Sequence, residues 1–262
     1  MDLMLKDKSV LVMASSDGIG KGIAMEFARE GAKVMLFART EEKLKKVQSE
    51  IFKETGRRAD FVVGDMLNAD DIDKVVKRAT EINGPVYALV NNTGGPPAGP
   101  FTKFDDEAWI DAFSLTLLSY IRSIRKVLPM MKKQGRGRIL NITSSSVKRV
   151  LDNLILSNTF RMGIVGLSKT LAVELGTDNI LINVLGPGKI QTDRVDYLDE
   201  IRAQKAGVFR EQYQEYTQKS IPLGRYGTIE EFARLSVFLC SEANTYITGQ
   251  TILVDGGLVT AY

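Results

Sequence analysis

The stretch Leu11-Val12-Met13-Ala14-Ser15-Ser16-Asp17-Gly18-Ile19-Gly20 constrains this chain more than any other. Within Ser9–Met13 the run Val-Leu-Val-Met is apolar without alternation, as in a strand buried on both faces of a parallel sheet. Gly18 and Gly20 then break the chain, and Ile23, Ala24, Phe27 and Ala28 recur at helical spacing. The segment reads as strand, tight turn, helix. The N–H groups of such a turn and of the helix that follows converge on one point, which suits a phosphate. Glycine serves where backbone approaches a ligand closely or takes φ > 0. A Gly-x-Gly pair also fits a purely structural turn, so the rest of the chain has to decide.

The same alternation recurs to the C-terminus. Apolar runs predict strands at 33–38, 60–63, 86–90, 138–142, 180–185 and 251–254. Amphipathic runs predict helices at 41–55, 69–82, 105–133, 158–175 and 229–239; in the second of these Ile72, Val75, Val76 and Ala79 share a face. Repeated βα units of this length predict an α/β fold, a doubly wound, mostly parallel sheet with helices on both faces and right-handed crossovers. Ligands of such sheets bind outside the carboxyl ends of the strands. With no internal repeat and no linker, residues 1–262 read as one domain.

Composition narrows the chemistry. The 262 residues are 44% hydrophobic and 26% charged, ordinary for a globular domain with a sizeable core. The 35 basic and 32 acidic residues leave a net charge of +3 and are interspersed, which argues against a nucleic-acid surface. Lys43 to Lys46 reads as the solvated face of a helix. The absence of histidine excludes His-based zinc sites and Ser-His-Asp catalysis. The one cysteine, Cys240, rules out an intrachain disulfide and reads as a small buried residue. No secretory signal and no membrane-span run are present, so a soluble, cytoplasmic protein is expected, and the acceptor patterns at Asn91 and Asn141 are discounted as glycosylation sites.

With these residues in view, the chain resembles the short-chain dehydrogenase/reductase family over nearly its whole length. Ser16-Asp17-Gly18-Ile19-Gly20 resembles the end of the family's Thr-Gly-x-x-x-Gly-Ile-Gly turn, with Met13 and Ala14 at its Thr and first Gly. Asn91-Asn92-Thr93-Gly94 resembles its Asn-Asn-Ala-Gly, Pro187-Gly188-x-Ile190-x-Thr192 its nicotinamide loop, and Asp255-Gly256-Gly257 the end of its last strand. The resemblance implies a Rossmann fold and a nicotinamide dinucleotide. Ser15, Ser16, Asp17 and Ile19 then line the pyrophosphate and ribose, Asp65 and Met66 flank the adenine, and Asn91, Thr93, Gly94, Pro187, Gly188, Ile190 and Thr192 complete the cofactor site. NAD-preferring members end their second strand on an acidic residue; here Ala38 and Arg39 stand there. A guanidinium suits a 2′-phosphate, which favours NADP(H). Asp17 argues the other way, and a surface arginine stacked on adenine leaves NAD(H) open.

The catalytic positions depart from the family pattern. The family uses a Tyr-x-x-x-Lys pair, an upstream serine and an asparagine in the long helix. Register taken from Gly166-Leu167-Ser168-Lys169 puts Ser157 at the Tyr and Arg161 at the Lys; the serine is Ser144, and the asparagine falls on Thr116, counting back from Pro129. No tyrosine lies between Tyr120 and Tyr197. A phenol with a free pKa near 10 is a usable acid once a neighbouring cation lowers it, and a serine hydroxyl is far weaker. Arg161 can still bind the nicotinamide ribose and stabilise an alkoxide, yet it stays protonated and relays no proton. The proton would come from water, or from Lys148, Lys189 or Tyr197. Ser157 can equally cap a helix start.

Three functions fit these residues. One is an oxidoreductase on a small carbonyl or alcohol substrate, resembling sugar dehydrogenases and β-ketoacyl carrier-protein reductases. The second is a catalytically silent dinucleotide-binding sensor or assembly protein, and the third is another reaction on the same scaffold. In the family the segment at about 189–222 is a lid that selects substrate; here Tyr197, Phe209, Tyr213 and Tyr216 allow a non-polar or ring substrate, or core packing. The resemblance also implies a homodimer or homotetramer, for which Ala112, Leu115, Ser119, Leu171 and Leu175 are suitable faces, unless they pack on the sheet.

Overall fold

The structure, a computed structural model, describes residues 1–261. Seven parallel strands make one sheet: β1 (Ser9–Met13), β2 (Lys33–Ala38), β3 (Asp60–Val63), β4 (Ala88–Asn91), β5 (Gly137–Ile142), β6 (Ile180–Pro187) and β7 (Thr251–Val254). They lie side by side as β3-β2-β1-β4-β5-β6-β7. The order reverses between β1 and β4, and the crevice at that reversal is where such sheets hold ligands.

The unbroken apolar run of β1 follows from burial on both sides. Val10 and Val12 enter one core with Ile23 and Phe27 of α1 (Gly18–Arg29), Leu44 and Val47 of α2 (Glu41–Thr55), and Phe232 of α9 (Ile229–Leu239). Leu11 and Met13 enter the other, with Ile72 and Val75 of α3 (Ala69–Asn83), Ile124 and Val127 of α5 (Ser119–Gln134), and Ile164 of α6 (Ile155–Leu175). Alternate residues of one strand thus anchor helices on opposite faces.

The long helix expected over 105–133 is interrupted. It runs as α4 (Asp106–Phe113), a π-helical turn at Ser114–Leu118, and α5. The hydroxyls of Thr116 and Ser119 donate to the carbonyls of Ala112 and Leu115, each at 2.5 Å, and so compete with the backbone ladder. Helix α6 starts at Ile155, three residues ahead of the expected Asn158, because its first turn is the apolar Ile155-Leu156 without a side-chain cap. The segment 189–222 contains two helices, α7 (Asp193–Ala206) and α8 (Arg210–Lys219). No helix among the described residues is long and apolar enough to cross a membrane.

Candidate active site

The nucleotide end is built on the turn between β1 and α1. Ala14, at φ +47°, holds a left-handed conformation that a glycine would take more easily, and Gly18 follows at φ +50°. Among the described residues the N–H groups of Ile19 and Gly20 have no acceptor, and no acidic residue lies in the first turn of α1. Those donors fit a pyrophosphate. A side chain on Gly94 would meet nothing within 4 Å, so the loop beyond β4 leaves room for a flat ring. The residues present therefore fit a dinucleotide.

Several expected contacts are redirected. Ser15 is fully buried and its hydroxyl accepts from the Phe37 N–H at 3.0 Å, so its side chain ties the turn to β2. Asn91 is also fully buried. Its Nδ2 donates to Asn141 Oδ1 at 2.9 Å, its Oδ1 accepts from Ser123, and Asn141 donates onward to Ser168 at 2.9 Å. This chain of side chains staples β4 and β5 to α5 and α6, which leaves the backbone of Asn91 as the part free to meet a cofactor. Asn92 was not assigned a role from the sequence: its Nδ2 donates to the Ala14 carbonyl at 3.2 Å and fixes the two loops together. Met66 and Ile190 turn into the cores, 5% and 2% exposed, which leaves only their backbone for a ligand. Ser16, Ile19, Thr93, Pro187 and Gly188 are half-buried at the strand ends, and Gly94 is exposed.

The charges around the adenine end are arranged favourably for a phosphate. Arg39 is exposed and has no carboxylate partner among the described residues. Asp17 accepts from the Gly18 N–H at 2.8 Å and pairs with Lys43 Nζ at 2.8 Å. The hydrogen bond from Lys43 holds the Asp17 carboxyl below the usual carboxylate range. Lys43, read from the sequence as a solvated helix residue, therefore neutralises the carboxylate that argued against a phosphate. Asp65 closes its own turn, accepting from the Leu67 N–H at 2.9 Å. A cleft of about 640 Å³ opens beside this end, with Asp17, Gly18, Lys43 and Thr192 in its walls. Thr192 caps α7, and its methyl group lies 3.7 Å from where a Cβ on Gly18 would stand, so the loop after β6 closes over the turn after β1.

At the catalytic end Ser157 and Arg161 meet, one helical turn apart. Arg161 Nε donates to Ser157 Oγ at 3.1 Å, and Nη1 donates to the Ile142 carbonyl at 3.3 Å. Ser157 lies inside the first turn of α6 and is not its cap. Arg161 is 6% exposed with no carboxylate partner among the described residues; burial pulls its pKa below the usual guanidinium value. Tyr120 completes this cluster and was not singled out from the sequence. It is fully buried, its hydroxyl donates to the same Ile142 carbonyl at 2.8 Å, and burial pushes its pKa up to about 12. Its position four residues after Thr116, on the same helix face, was the available signal.

Ser144 stands two residues beyond Ile142, half-buried, where its hydroxyl accepts from the Ser146 N–H at 3.1 Å and caps a short turn. Thr116 is fully buried and its hydroxyl donates to the Ala112 carbonyl, one turn back on its own helix. Lys148 and Tyr197 are exposed. Lys189 is engaged: its Nζ donates to Asp199 Oδ1 at 2.8 Å, and the Tyr226 hydroxyl donates to Asp199 Oδ2 at 2.7 Å. That buried carboxylate ties α7 to the loop after β6. Tyr197, Phe209 and Tyr216 are exposed, not core. Of the faces suggested for self-association, Ala112, Ser119 and Leu175 are buried within the chain.

Comparison with known proteins agrees with this geometry. Residues 13–259 match the family described as Enoyl-(Acyl carrier protein) reductase. The 3-oxoacyl-[acyl-carrier-protein] reductase of Aquifex aeolicus is 35% identical over 260 residues, covering 98% of this chain and 100% of that one. L-sorbose reductase of Gluconobacter frateurii, solved with NADPH and L-sorbose, superposes with a TM-score of 0.95 at 30% identity over 100% of both chains. An actinorhodin polyketide ketoreductase solved with NADPH superposes with a TM-score of 0.92 at 31% identity, covering 98% of this chain and 99% of that one. Sheet order, dinucleotide cradle and relatives lead to one conclusion: the chain belongs to the short-chain dehydrogenase/reductase family of oxidoreductases.

Proposed function

We propose that the protein is an NADP(H)-dependent oxidoreductase that moves hydride between the nicotinamide and a small carbonyl or alcohol substrate through a Ser157/Arg161 site. The observation that carries this reading is the buried Arg161 fork. Of its five N–H donors, one is held by Ser157 and one by Ile142, and no carboxylate among the described residues neutralises it. A fixed cation of this kind, in a site of low dielectric, stabilises negative charge developing on a carbonyl oxygen. The bound dinucleotide supplies the hydride. Ser157 orients the fork, Arg161 polarises the carbonyl and reaches the nicotinamide ribose, Ser144 stands beside them, and water delivers the proton. Arg39 binds the 2′-phosphate with Lys43 near it, so NADP(H) is preferred to NAD(H). The reductases named above, two of them solved with NADPH, support the cofactor and the substrate class.

The segment 189–222 serves as the substrate lid. We further propose a homodimer or homotetramer that covers the exposed Ile110, Met162 and Val173. The lone, buried Cys240 thiol, pushed up to about 12 by burial, fits a cytoplasmic setting.

Single-turnover oxidation of stoichiometric NADPH by a pool of aldehydes, ketones and ketoacyl thioesters tests the reading, with Arg161→Ala as control. Oxidation lost in the variant is the expected result. Tight NADPH binding without oxidation by any pool member refutes it in favour of a silent dinucleotide sensor, which the diverted hydroxyl of Thr116 would then explain.

A further inference from the structure

Helix α7 turns two carboxylates, one turn apart, onto the loop that follows β6. Asp196 accepts from Gln191 Nε2 at 2.6 Å and from Gln214 Nε2 of α8 at 3.0 Å. Asp199 is fully buried. Its Oδ1 accepts from Lys189 Nζ at 2.8 Å, its Oδ2 accepts from the Tyr226 hydroxyl at 2.7 Å, and Arg202 Nη1 lies 3.6 Å from Oδ1. Lys189 and Gln191 flank Ile190 in the 187–192 loop. From the other side that loop is held by main chain. The Gly227 N–H donates to the Lys189 carbonyl and the Gln191 N–H to the Gly227 carbonyl, each at 2.9 Å. A Cβ on Gly227 would stand 2.8 Å from the end of the Ile190 side chain, so the close approach of the two segments depends on glycine.

A carboxylate taken wholly out of water is unfavourable unless its partners are in place. Burial pulls the Lys189 pKa down and pushes the Tyr226 pKa up, so these partners are desolvated with it. They lie in the 187–192 loop, in α7 and just before α9, and none belongs to the sheet. What the buried carboxylate fixes is therefore the loop against α7. Helix α8 is held differently. It has no buried residue, and left-handed glycines bound it, Gly207 at φ +70° and Gly224 at φ +69°.

We propose that Asp199 is a positioning residue for the nicotinamide: from α7 it grips Lys189 and Tyr226, and so holds the main chain of the 187–192 loop in place to receive the ring. The inference rests on the dinucleotide-binding part of the reading above. With the side chains of Lys189 and Gln191 drawn to α7, the main chain of the loop is what remains for the cofactor. Thr192 ends the loop and caps α7, so the two form one continuous body. Helix α7 is then a fixed wall of the substrate site, and α8 is the part left to move for the substrate.

The test is calorimetric titration of NADP⁺ and of adenosine 2′,5′-bisphosphate, which carries the adenine end and stops before the nicotinamide. In Asp199→Asn the affinity for NADP⁺ is expected to fall about 10-fold, while that for the bisphosphate stays within about 2-fold of wild type. Tyr226→Phe keeps the ion pair and the ring, and should show the same selective loss at about 3-fold; it carries the test where Asp199→Asn folds poorly. Adding Lys189→Gln to Asp199→Asn restores a neutral hydrogen-bonded pair and should return part of the NADP⁺ affinity. Hydrogen exchange should quicken about 10-fold over 187–206 in Asp199→Asn and stay unchanged over 210–219. Equal loss of both ligands overturns the proposal, because Asp199 then supports the fold at large. NADP⁺ affinity that stays at the wild-type value in both single variants overturns it as well. Failure of the oxidoreductase reading is seen separately, as selective NADP⁺ loss in a protein whose wild type oxidises no NADPH.

Discussion

Replacing Tyr120 by Phe separates a positioning role from a chemical one. The hydroxyl makes one hydrogen bond, 2.8 Å to the Ile142 carbonyl, and that carbonyl also receives Arg161 Nη1 at 3.3 Å. Its loss leaves no orphaned acceptor, so the cost is one net hydrogen bond, about 1 kcal/mol, or about 2–4 °C in Tm for a chain of this size. With the hydroxyl gone the Arg161 fork keeps its bonds to Ser157 and Ile142 but loses the second donor that helps fix the shared Ile142 carbonyl. A modest fall in kcat/KM, about 3-fold to 10-fold, should follow from looser positioning. The pH behaviour adds a sign. A folded pKa raised from 10.0 to about 12 means that burial of the neutral phenol stabilises the fold fully below pH 10 and loses that contribution as pH rises toward 12. Urea midpoints of wild type and variant should therefore converge above pH 10. Activity between pH 6 and 9 should show no titration assignable to Tyr120. A loss of 100-fold or more in kcat with intact stability, together with the disappearance of a break in the pH–rate profile, would mean that Tyr120 is the proton donor and would refute this reasoning.

Four other substitutions follow from the geometry. Arg39→Ala should lower the NADPH-to-NADH affinity ratio by about 10-fold to 100-fold, and Asp17→Asn should tighten NADPH by about 2-fold to 5-fold at low salt by releasing Lys43; fluorescence titration with both cofactors reads each effect. Asn141→Ala strands the Asn91 amide and the Ser168 hydroxyl inside the protein, and should cost about 2–4 kcal/mol, seen as a fall in Tm of about 5–15 °C. Asp199→Asn takes the counter-ion from Lys189, whose pKa burial already depresses, and should speed limited proteolysis within 192–220 while leaving α1 to β5 protected; unchanged cleavage would show that the clamp does not hold the lid.

What the sequence disclosed and what it withheld divide along a physical line. Strand runs and helix periodicities depend on which side of a segment is buried, and burial follows hydrophobicity residue by residue. For that reason β2, β3, β7, α2 and α9 fall where their patterns put them. The long helix failed at Ser114–Leu118 because hydroxyl groups competing for main-chain carbonyls leave the apolar periodicity untouched. Polar side chains near the strand ends follow a different rule. Ser15, Asn91 and Thr116 occupy positions suited to a ligand, yet each is satisfied by a neighbour brought in from elsewhere in the fold or the helix. A short polar group serves a ligand or the core according to partners that sequence spacing does not display. The charged partners were less legible still. Asp17 and Lys43 lie 26 residues apart, and a carboxylate read in isolation as a repulsive charge becomes one half of an ion pair once α2 packs beside α1. The same holds for Arg161. Read alone it is a substituted lysine; with Ser157 on its fork and Tyr120 sharing the Ile142 carbonyl, it becomes a fixed positive centre. A buried charge held without a carboxylate among the described residues bears a cost in stability that negative charge developing on a bound carbonyl oxygen would offset, so the same group that destabilises the free protein favours the reacting complex.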